Sequence, residues 1–125
     1  MAEIHKDARK IPYPLWVNNE AAFPSGDGSY FYTTGKDSDE DCTVIISGIA
    51  GGVAGVAISI GENKGFDDYI YRRPIPEDSD RKLAEQVEDE MVELFNSVIE
   101  AFKRGESKKS IVDCYGFVPW QSSRI

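Results

Sequence analysis

The sequence has few of the residues that most often mark a catalytic or metal site. It contains one histidine, His5, and two cysteines, Cys42 and Cys114. The cysteines lack the spacing of a zinc site or a disulfide framework, so we expect both to be small buried hydrophobic residues. His5 lies in a polar N-terminal stretch that we expect to be mobile, so it has no expected catalytic partner. The sequence therefore predicts neither a metal nor a cofactor.

An apolar N-terminal segment and an excess of positive charge are also absent. Residues 1–10 are polar, which predicts a cytoplasmic protein without a secretory signal. The formal net charge is −8. Because nucleic acids and anionic membranes attract positive surfaces, we expect the chain to bind neither of them.

The composition is that of one ordinary globular domain. The 125 residues are 41% hydrophobic and 29% charged, which suits one core but not two. We expect a single domain over residues 1–125. Prolines and glycines make residues 1–28 a partly irregular arm, although the alternation from Ile11 to Val17 suits an edge strand.

The stretch from Cys42 to Ile60 is unusual because it carries no charged residue. Its length reaches that of a membrane span. Its flanks are acidic, however, and lack the Trp, Lys and Arg anchors of a span, while its many β-branched residues favour strands. We therefore expect a β-hairpin that does not enter a membrane.

The pair Gly51-Gly52 in this stretch is a signal for a two-residue hairpin turn. Such a turn pairs Ile46 with Ala57 and Gly48 with Gly55. In this register both faces of the hairpin are apolar, so both faces need cover. A helix can cover one face, and the other face then requires the N-terminal arm, a second sheet or another copy of the protein.

Three further segments have the composition of strands. Ser29–Thr34 and Phe66–Arg72 are rich in aromatic and β-branched residues and are bounded by turn-forming residues. Ser110–Phe117 has a similar composition near the C-terminus. We predict one strand in each segment.

A long amphipathic helix is the clearest element in the sequence. Apolar residues recur at steps of three and four and predict a helix over about 79–104. Asp78 or Ser79 supplies the predicted N-cap, and Gly105 ends the helix. The predicted apolar stripe is formed by Leu83, Val87, Met91, Leu94, Phe95, Val98 and Phe102.

These elements together predict an α+β fold. We expect an antiparallel sheet of four to six strands, centred on the Gly-rich hairpin at about 42–60. The helix at about 79–104 packs on one face of this sheet, and a C-terminal strand completes it.

The candidate ligand-binding residues lie around the strand predicted at 66–72. Guanidinium groups beside tyrosine rings suit an anionic ligand or a protein interface, and glycines that face each other across a hairpin leave room for a ligand. The alternative for the arginines is a charge pair that protects a sheet edge. The predicted set is Tyr69, Tyr71, Arg72, Arg73, Gly48 and Gly55.

Two weaker motifs are expected to be structural. Asp37, Asp39 and Asp41 imitate the start of a calcium loop, but the Gly and the Glu that such a loop requires further along are missing. We expect a solvated turn there. The glycines of residues 47–55 lack the spacing of a phosphate-binding loop and the Lys that follows it.

The absence of a catalytic motif favours a non-catalytic binding protein. We predict a small acidic inhibitor, immunity-type or phage-encoded regulatory protein that sequesters a protein or a small anionic ligand, as a homodimer or higher oligomer. A nucleotide or phosphorylated-metabolite binding protein is the first alternative, and a small carboxylate-dependent enzyme is the second. A mimic of DNA is disfavoured because 14 basic residues accompany the 22 acidic ones.

Overall fold

The structure, a computed structural model, describes residues 3–10, 29–34, 42–48, 55–62, 66–76 and 78–119. These residues form a six-stranded sheet and two helices, which confirms the predicted α+β class. In chain order the elements are β1 (Arg9–Lys10), β2 (Tyr30–Thr33), β3 (Cys42–Gly48), β4 (Gly55–Glu62), β5 (Phe66–Pro74), α1 (Arg81–Lys103), α2 (Lys108–Tyr115) and β6 (Val118–Pro119). The features predicted at Ile11–Val17, at the acidic residues 37–41 and at Gly51-Gly52 lie outside the described residues.

The sheet follows the order of the chain. Its strands are arranged from β1 to β6, and each strand is antiparallel to its neighbours. The strands predicted at 29–34 and 66–72 are confirmed as β2 and β5. Both helices lie in the connection between β5 and β6. The strands at both edges of the sheet are short, because β1 and β6 have two residues each.

The hairpin of β3 and β4 is confirmed, but its register differs from the predicted one by one residue. Gly48 lies opposite Val56, so the prediction that Gly48 faces Gly55 is wrong. The turn that joins the two strands lies outside the described residues, so only the register of the strands themselves is compared. A shift of one residue moves every side chain of β4 to the other face of the sheet.

This register makes the two faces of the hairpin unlike each other. Ile46 lies opposite Ile58 instead of Ala57. One face therefore gathers five fully buried β-branched side chains, those of Val44, Ile46, Val56, Ile58 and Ile60. The other face carries Ile45 and four smaller or more polar side chains, those of Thr43, Ser47, Ala57 and Ser59. The prediction that both faces are apolar is wrong, because the observed shift brings the branched residues together where they can be buried.

The long helix α1 packs across β3 and β4 on the β-branched face. The predicted stripe is confirmed at four positions and is extended by three further residues; the buried residues are Val87, Met91, Val92, Phe95, Val98, Ile99 and Ala101. Leu94 and Phe102 are partly buried, whereas Leu83 is exposed. Fully burying a branched or aromatic side chain contributes about 1.5–3 kcal/mol, so this layer is the main source of stability.

Both ends of α1 are capped. Asp80 is the N-cap, and its carboxylate accepts a hydrogen bond from the Leu83 backbone N–H at 2.8 Å. The predicted caps, Asp78 and Ser79, are therefore one or two residues early. Gly105 follows the helix with a φ of 89°, which confirms its predicted role at the C-terminal end.

The strand predicted at Ser110–Phe117 is wrong, because most of this segment belongs to α2. Ser107 is the N-cap of α2 and accepts a hydrogen bond from the backbone N–H three residues later at 3.1 Å. Gly116, with a φ of 79°, ends the helix and turns the chain into β6. The two caps determine the structure here, although the segment is rich in strand-forming residues. A C-terminal strand is present after α2, as β6.

We call the side of the sheet opposite α1 the helix-free face, because neither helix of the described residues lies there. Buried residues of α2 join the same core as those of α1, so both helices lie on the other side. Alternation along the strands and the cross-strand pairs define the helix-free face as Arg9, Phe31, Thr33, Thr43, Ile45, Ser47, Ala57, Ser59, Ile70, Arg72 and Val118.

Candidate functional site

The predicted ligand-binding residues of β5 divide between the two sides of the sheet. Tyr69, Tyr71 and Arg73 lie on the side of the helices, where both tyrosines pack against the main core. Arg72 lies on the helix-free face. Because successive residues of a strand point to opposite sides, Arg72 cannot join the other three around one small ligand.

The two tyrosines make contacts with the region around α2. The ring centroids of Tyr71 and Phe117 are 5.8 Å apart. The ammonium group of Lys108 lies 5.8 Å from the centroid of the Tyr69 ring, which is a cation–π distance. These contacts join β5 to α2, and ligand binding by the tyrosines stays a prediction.

The predicted glycine pair is also separated. Gly48 lies in the same cross-strand row as Arg73 on the side of the helices, whereas Gly55 pairs with Pro74. Arg73 forms an ion pair with Glu90 of α1, with 3.2 Å between nitrogen and oxygen. The guanidinium group predicted to hold an anion is therefore engaged by a carboxylate of the protein itself.

A continuous row of residues crosses all six strands on the helix-free face. The row consists of Arg9, Phe31, Ile45, Ser59, Ile70 and Val118. Phe31 and Ile45 are direct cross-strand partners, and both are half-buried. Val118 is 44% exposed. Phe31, Ile45 and Val118 are thus the apolar side chains of this row that reach solvent, whereas Ile70 is buried.

Burial varies along the helix-free face. On β4 and β5, Ala57 and Ile70 form a small buried cluster separate from the main core. On β2 and β3, Thr33 is exposed and the remaining residues of the face are half-buried. The part of the face over β2 and β3 is therefore the part that another molecule can reach.

Residues 3–10, which we call the N-terminal strap, lie against α1. His5, which was expected to be mobile, lies against α1 with a side chain that is 8% exposed. The Asn96 side chain holds the main chain of the strap: its Oδ1 accepts from the His5 backbone N–H at 2.8 Å, and its Nδ2 donates to the Glu3 carbonyl at 2.8 Å. Two apolar side chains of the strap pack against the main core, Ile4 and Ala8.

Hydrogen bonds determine the tautomer of His5. The Asp7 backbone N–H donates to Nδ1 at 3.0 Å, so the proton lies on Nε2, which donates to Oε1 of Glu100 at 2.8 Å. This bond from His5 lowers the pKa of Glu100 below its ordinary value. A hydrogen bond between Lys103 and Asp7 lowers the pKa of Asp7 and raises that of Lys103.

The strap contacts were missed in the sequence. Asn96, Glu100 and Lys103 recur at steps of four and three, which places them on one flank of α1. That spacing is a signal for a shared surface. It does not indicate which distant segment binds there, because polar residues at these steps are also typical of a solvated helix face.

Three carboxylates of α1 are engaged by groups of the protein itself. Arg81 forms an ion pair with Glu85 at 3.1 Å and Arg73 with Glu90 at 3.2 Å, and Nε2 of His5 donates a hydrogen bond to Glu100 at 2.8 Å. Because these contacts satisfy the carboxylates locally, the acidic side is less suited to capture a basic partner than its sequence suggests.

The two cysteines have different environments. Cys42 is buried, as predicted, whereas Cys114 is exposed on α2, so the prediction for Cys114 is wrong. Among the described residues, no three His, Cys, Asp or Glu side chains lie together in a way that could hold a metal ion. Neither of the described helices has the length and apolar composition to cross a membrane.

Comparisons of the chain with protein-family models, curated proteins and solved structures gave no match. The function is therefore argued from the residues of the chain.

Proposed function

We propose that the chain is a non-catalytic binding protein that acts as a homodimer, joined through the helix-free faces of two sheets. The observation that carries this proposal is the cross-strand pair of Phe31 and Ile45, two large apolar side chains that remain half-buried opposite the core. Packing a second sheet on them removes apolar surface from water. Their polar neighbours Thr33, Thr43 and Ser47 resemble the rim of an interface.

The accessible part of the helix-free face is small. From strand spacing and rise, strands β2 and β3 present a surface of about 10 Å by 25 Å, or roughly 250 Å². Two such surfaces bury roughly 500 Å² in total, which is in the range of weak contacts and below that of stable interfaces. We therefore expect a weak dimer that forms only at high concentration.

The edges of the sheet are less suited to association than its face. β1 consists of Arg9 and Lys10, and β6 ends at Pro119. Charged residues and proline oppose the addition of a further strand. Face-to-face association leaves these edges free and places both helices of each copy on the outside of the dimer.

The finer roles fit within this proposal without a specific contact to support them. A sequestering dimer suits an inhibitor, an immunity-type protein or a phage-encoded regulator, and these roles stay predictions. Nucleotide binding has less support from the structure than from the sequence, because Arg72 is separated from the tyrosines and Arg73 is paired with Glu90. The carboxylate-dependent enzyme also stays a prediction.

The test compares Ile45→Lys with the control Gln86→Lys, which adds the same charge at an exposed position of α1. Size-exclusion chromatography with light scattering measures the mass over a concentration series. The wild-type mass is expected to rise from monomer to dimer. A charge at the centre of the interface should weaken the dimer about tenfold or more, equivalent to about 1.4 kcal/mol. The control should behave as the wild type.

Two results would contradict the proposal. The first is a wild-type chain that stays monomeric over the whole series. The second is an equal loss of dimer in Ile45→Lys and Gln86→Lys, which would make net charge, and not the helix-free face, the determinant. Circular dichroism and thermal unfolding establish that each variant is folded.

A further inference from the structure

The outer edge of β2 has the composition of a strand that readily pairs. Its sequence, Tyr-Phe-Tyr-Thr, is aromatic and β-branched, without charge, proline or glycine. Strands of this kind add another strand when their edge is open. The far side of the sheet differs, because β5 ends in Arg72, Arg73 and Pro74, which oppose strand addition. The β2 edge is therefore the one that needs to be covered.

β1 covers this edge with a very short ladder. It pairs with β2 through two residue pairs, Arg9 with Phe31 and Lys10 with Tyr30. The ladder between β3 and β4 has seven such pairs. An isolated pairing of two short strands is marginal at best, so β1 depends on the contacts that the rest of the strap makes with α1.

Three side chains on one flank of α1 hold the strap. Asn96 binds its main chain at two points, while Glu100 and Lys103 pair with His5 and Asp7. The two pairs involve carboxylates that are 51% and 38% exposed. Exposed ion pairs contribute little, so Asn96, which binds the backbone at two points, is the principal polar contact, beside the apolar packing of Ile4 and Ala8.

We propose that the strap covers the β2 edge reversibly and is held there by Asn96. When the strap detaches, β2 pairs antiparallel with β2 of a second copy. This contact uses the same surface on both copies and closes as a two-fold dimer. Since β2 carries no charge, the net charge of −8 is not concentrated at the contact. The contact is distinct from the helix-free face and does not depend on the function proposed above.

The test compares Asn96→Asp with the control Ser97→Asp in the full chain at neutral pH. Asn96→Asp keeps the shape of the side chain but places an oxygen where the Glu3 carbonyl needs a donor. Ser97→Asp adds the same charge at the next, exposed position. Hydrogen exchange with mass spectrometry measures residues 3–10 and 29–34, and light scattering measures the mass.

In Asn96→Asp, exchange in residues 3–10 should accelerate about tenfold or more. The mass at high concentration should exceed that of the wild type, with residues 29–34 protected again as it rises. Ser97→Asp should match the wild type in both measurements. If Asn96→Asp does not fold, Lys103→Gln, which removes only the ion pair to Asp7, should give smaller changes in the same direction.

Three results would overturn the proposal. One is unchanged exchange of residues 3–10 in a folded Asn96→Asp. Another is fast exchange of the strap without any gain in mass. The third is a gain in mass that disappears when Ile45→Lys is added, because assembly would then use the helix-free face. Persistence of the gain in the double variant supports β2 pairing, even if the function proposed above fails its own test.

Discussion

α1 makes two contacts of opposite character. Toward β3 and β4 it buries branched and aromatic side chains completely, and each of these contributes about 1.5–3 kcal/mol. Along another flank it holds the strap through polar contacts near the surface, which contribute much less. One contact is insensitive to pH, whereas the other depends on ionised groups. A single helix thus carries both the main stabilising contact of the fold and the contact that we propose to open separately.

The largest effect is expected for Ile58→Ala on the core side. Ile58 is fully buried between β3 and α1, so the substitution should lower the free energy of unfolding by about 2–5 kcal/mol through lost burial and a cavity. Ile45→Ala, on the helix-free face, is the control and should cost about 1 kcal/mol. Urea unfolding measures both. Equal losses would contradict the difference between the two faces.

A pair of neighbouring substitutions tests the same difference more finely. Val44→Thr places a hydroxyl in the core and should cost about 1–3 kcal/mol. The reverse change at the next position, Thr43→Val on the helix-free face, should change stability by about 0.5 kcal/mol or less. Thermal unfolding of the two variants compares them. Similar melting temperatures would contradict the placement of Val44 on the buried face and Thr43 on the helix-free face.

On the strap side, Lys103→Gln should act locally. Removal of the ion pair to Asp7 should accelerate hydrogen exchange in residues 3–10. The midpoint of urea unfolding should change little, because the pair lies at the surface. Lys109→Gln, at an exposed position of α2, controls for the loss of one charge. A cooperative loss of global stability would show that the strap and the core unfold together.

The smallest effect is expected from moderate acid. Hydrogen bonds from Lys103 and His5 lower the pKa values of Asp7 and Glu100 below their ordinary values of 3.8 and 4.5. Each contribution is therefore fully present above the ordinary value and is lost as the pH falls through the lowered one. The NMR signals of the Asp7 and Glu100 carboxyl carbons should therefore titrate below these ordinary values. A midpoint above the ordinary value for either carboxyl would contradict this expectation.

The core could be predicted from the sequence because its signal is periodic. Spacings of three and four placed Val87, Met91, Phe95 and Val98 on one stripe, and the structure buries all four. The hairpin was recognised by its composition. Its register was predicted wrongly because a glycine pair indicates a turn but does not specify how many residues the turn contains. A register that differs by one residue places the side chains of β4 on the other face of the sheet.

The strap and α2 could not be predicted for different reasons. The strap joins His5 to Asn96, 91 positions apart, through polar contacts that have no periodicity. In α2 the caps at Ser107 and Gly116 were visible, but Ile111 and Val112 favoured a strand. Of the candidate ligand residues, Tyr69, Tyr71 and Arg72 were correctly assigned to one strand, which in the structure continues through Arg73 to Pro74. Strand alternation places the successive residues Arg72 and Arg73 on opposite sides of the sheet, and the sequence prediction grouped them at one site.

The two thiols provide a labelling scheme that requires no mutation. Cys114 is exposed on α2 and should react at once with a thiol reagent, whereas Cys42, 2% exposed, should react only when the sheet opens. After Cys114 is blocked with a colourless reagent, a fluorescent one added later records how often the native chain exposes β3. In the wild-type protein, Cys114 thus provides a site for attaching a probe, and the reaction rate of Cys42 measures how often the sheet opens.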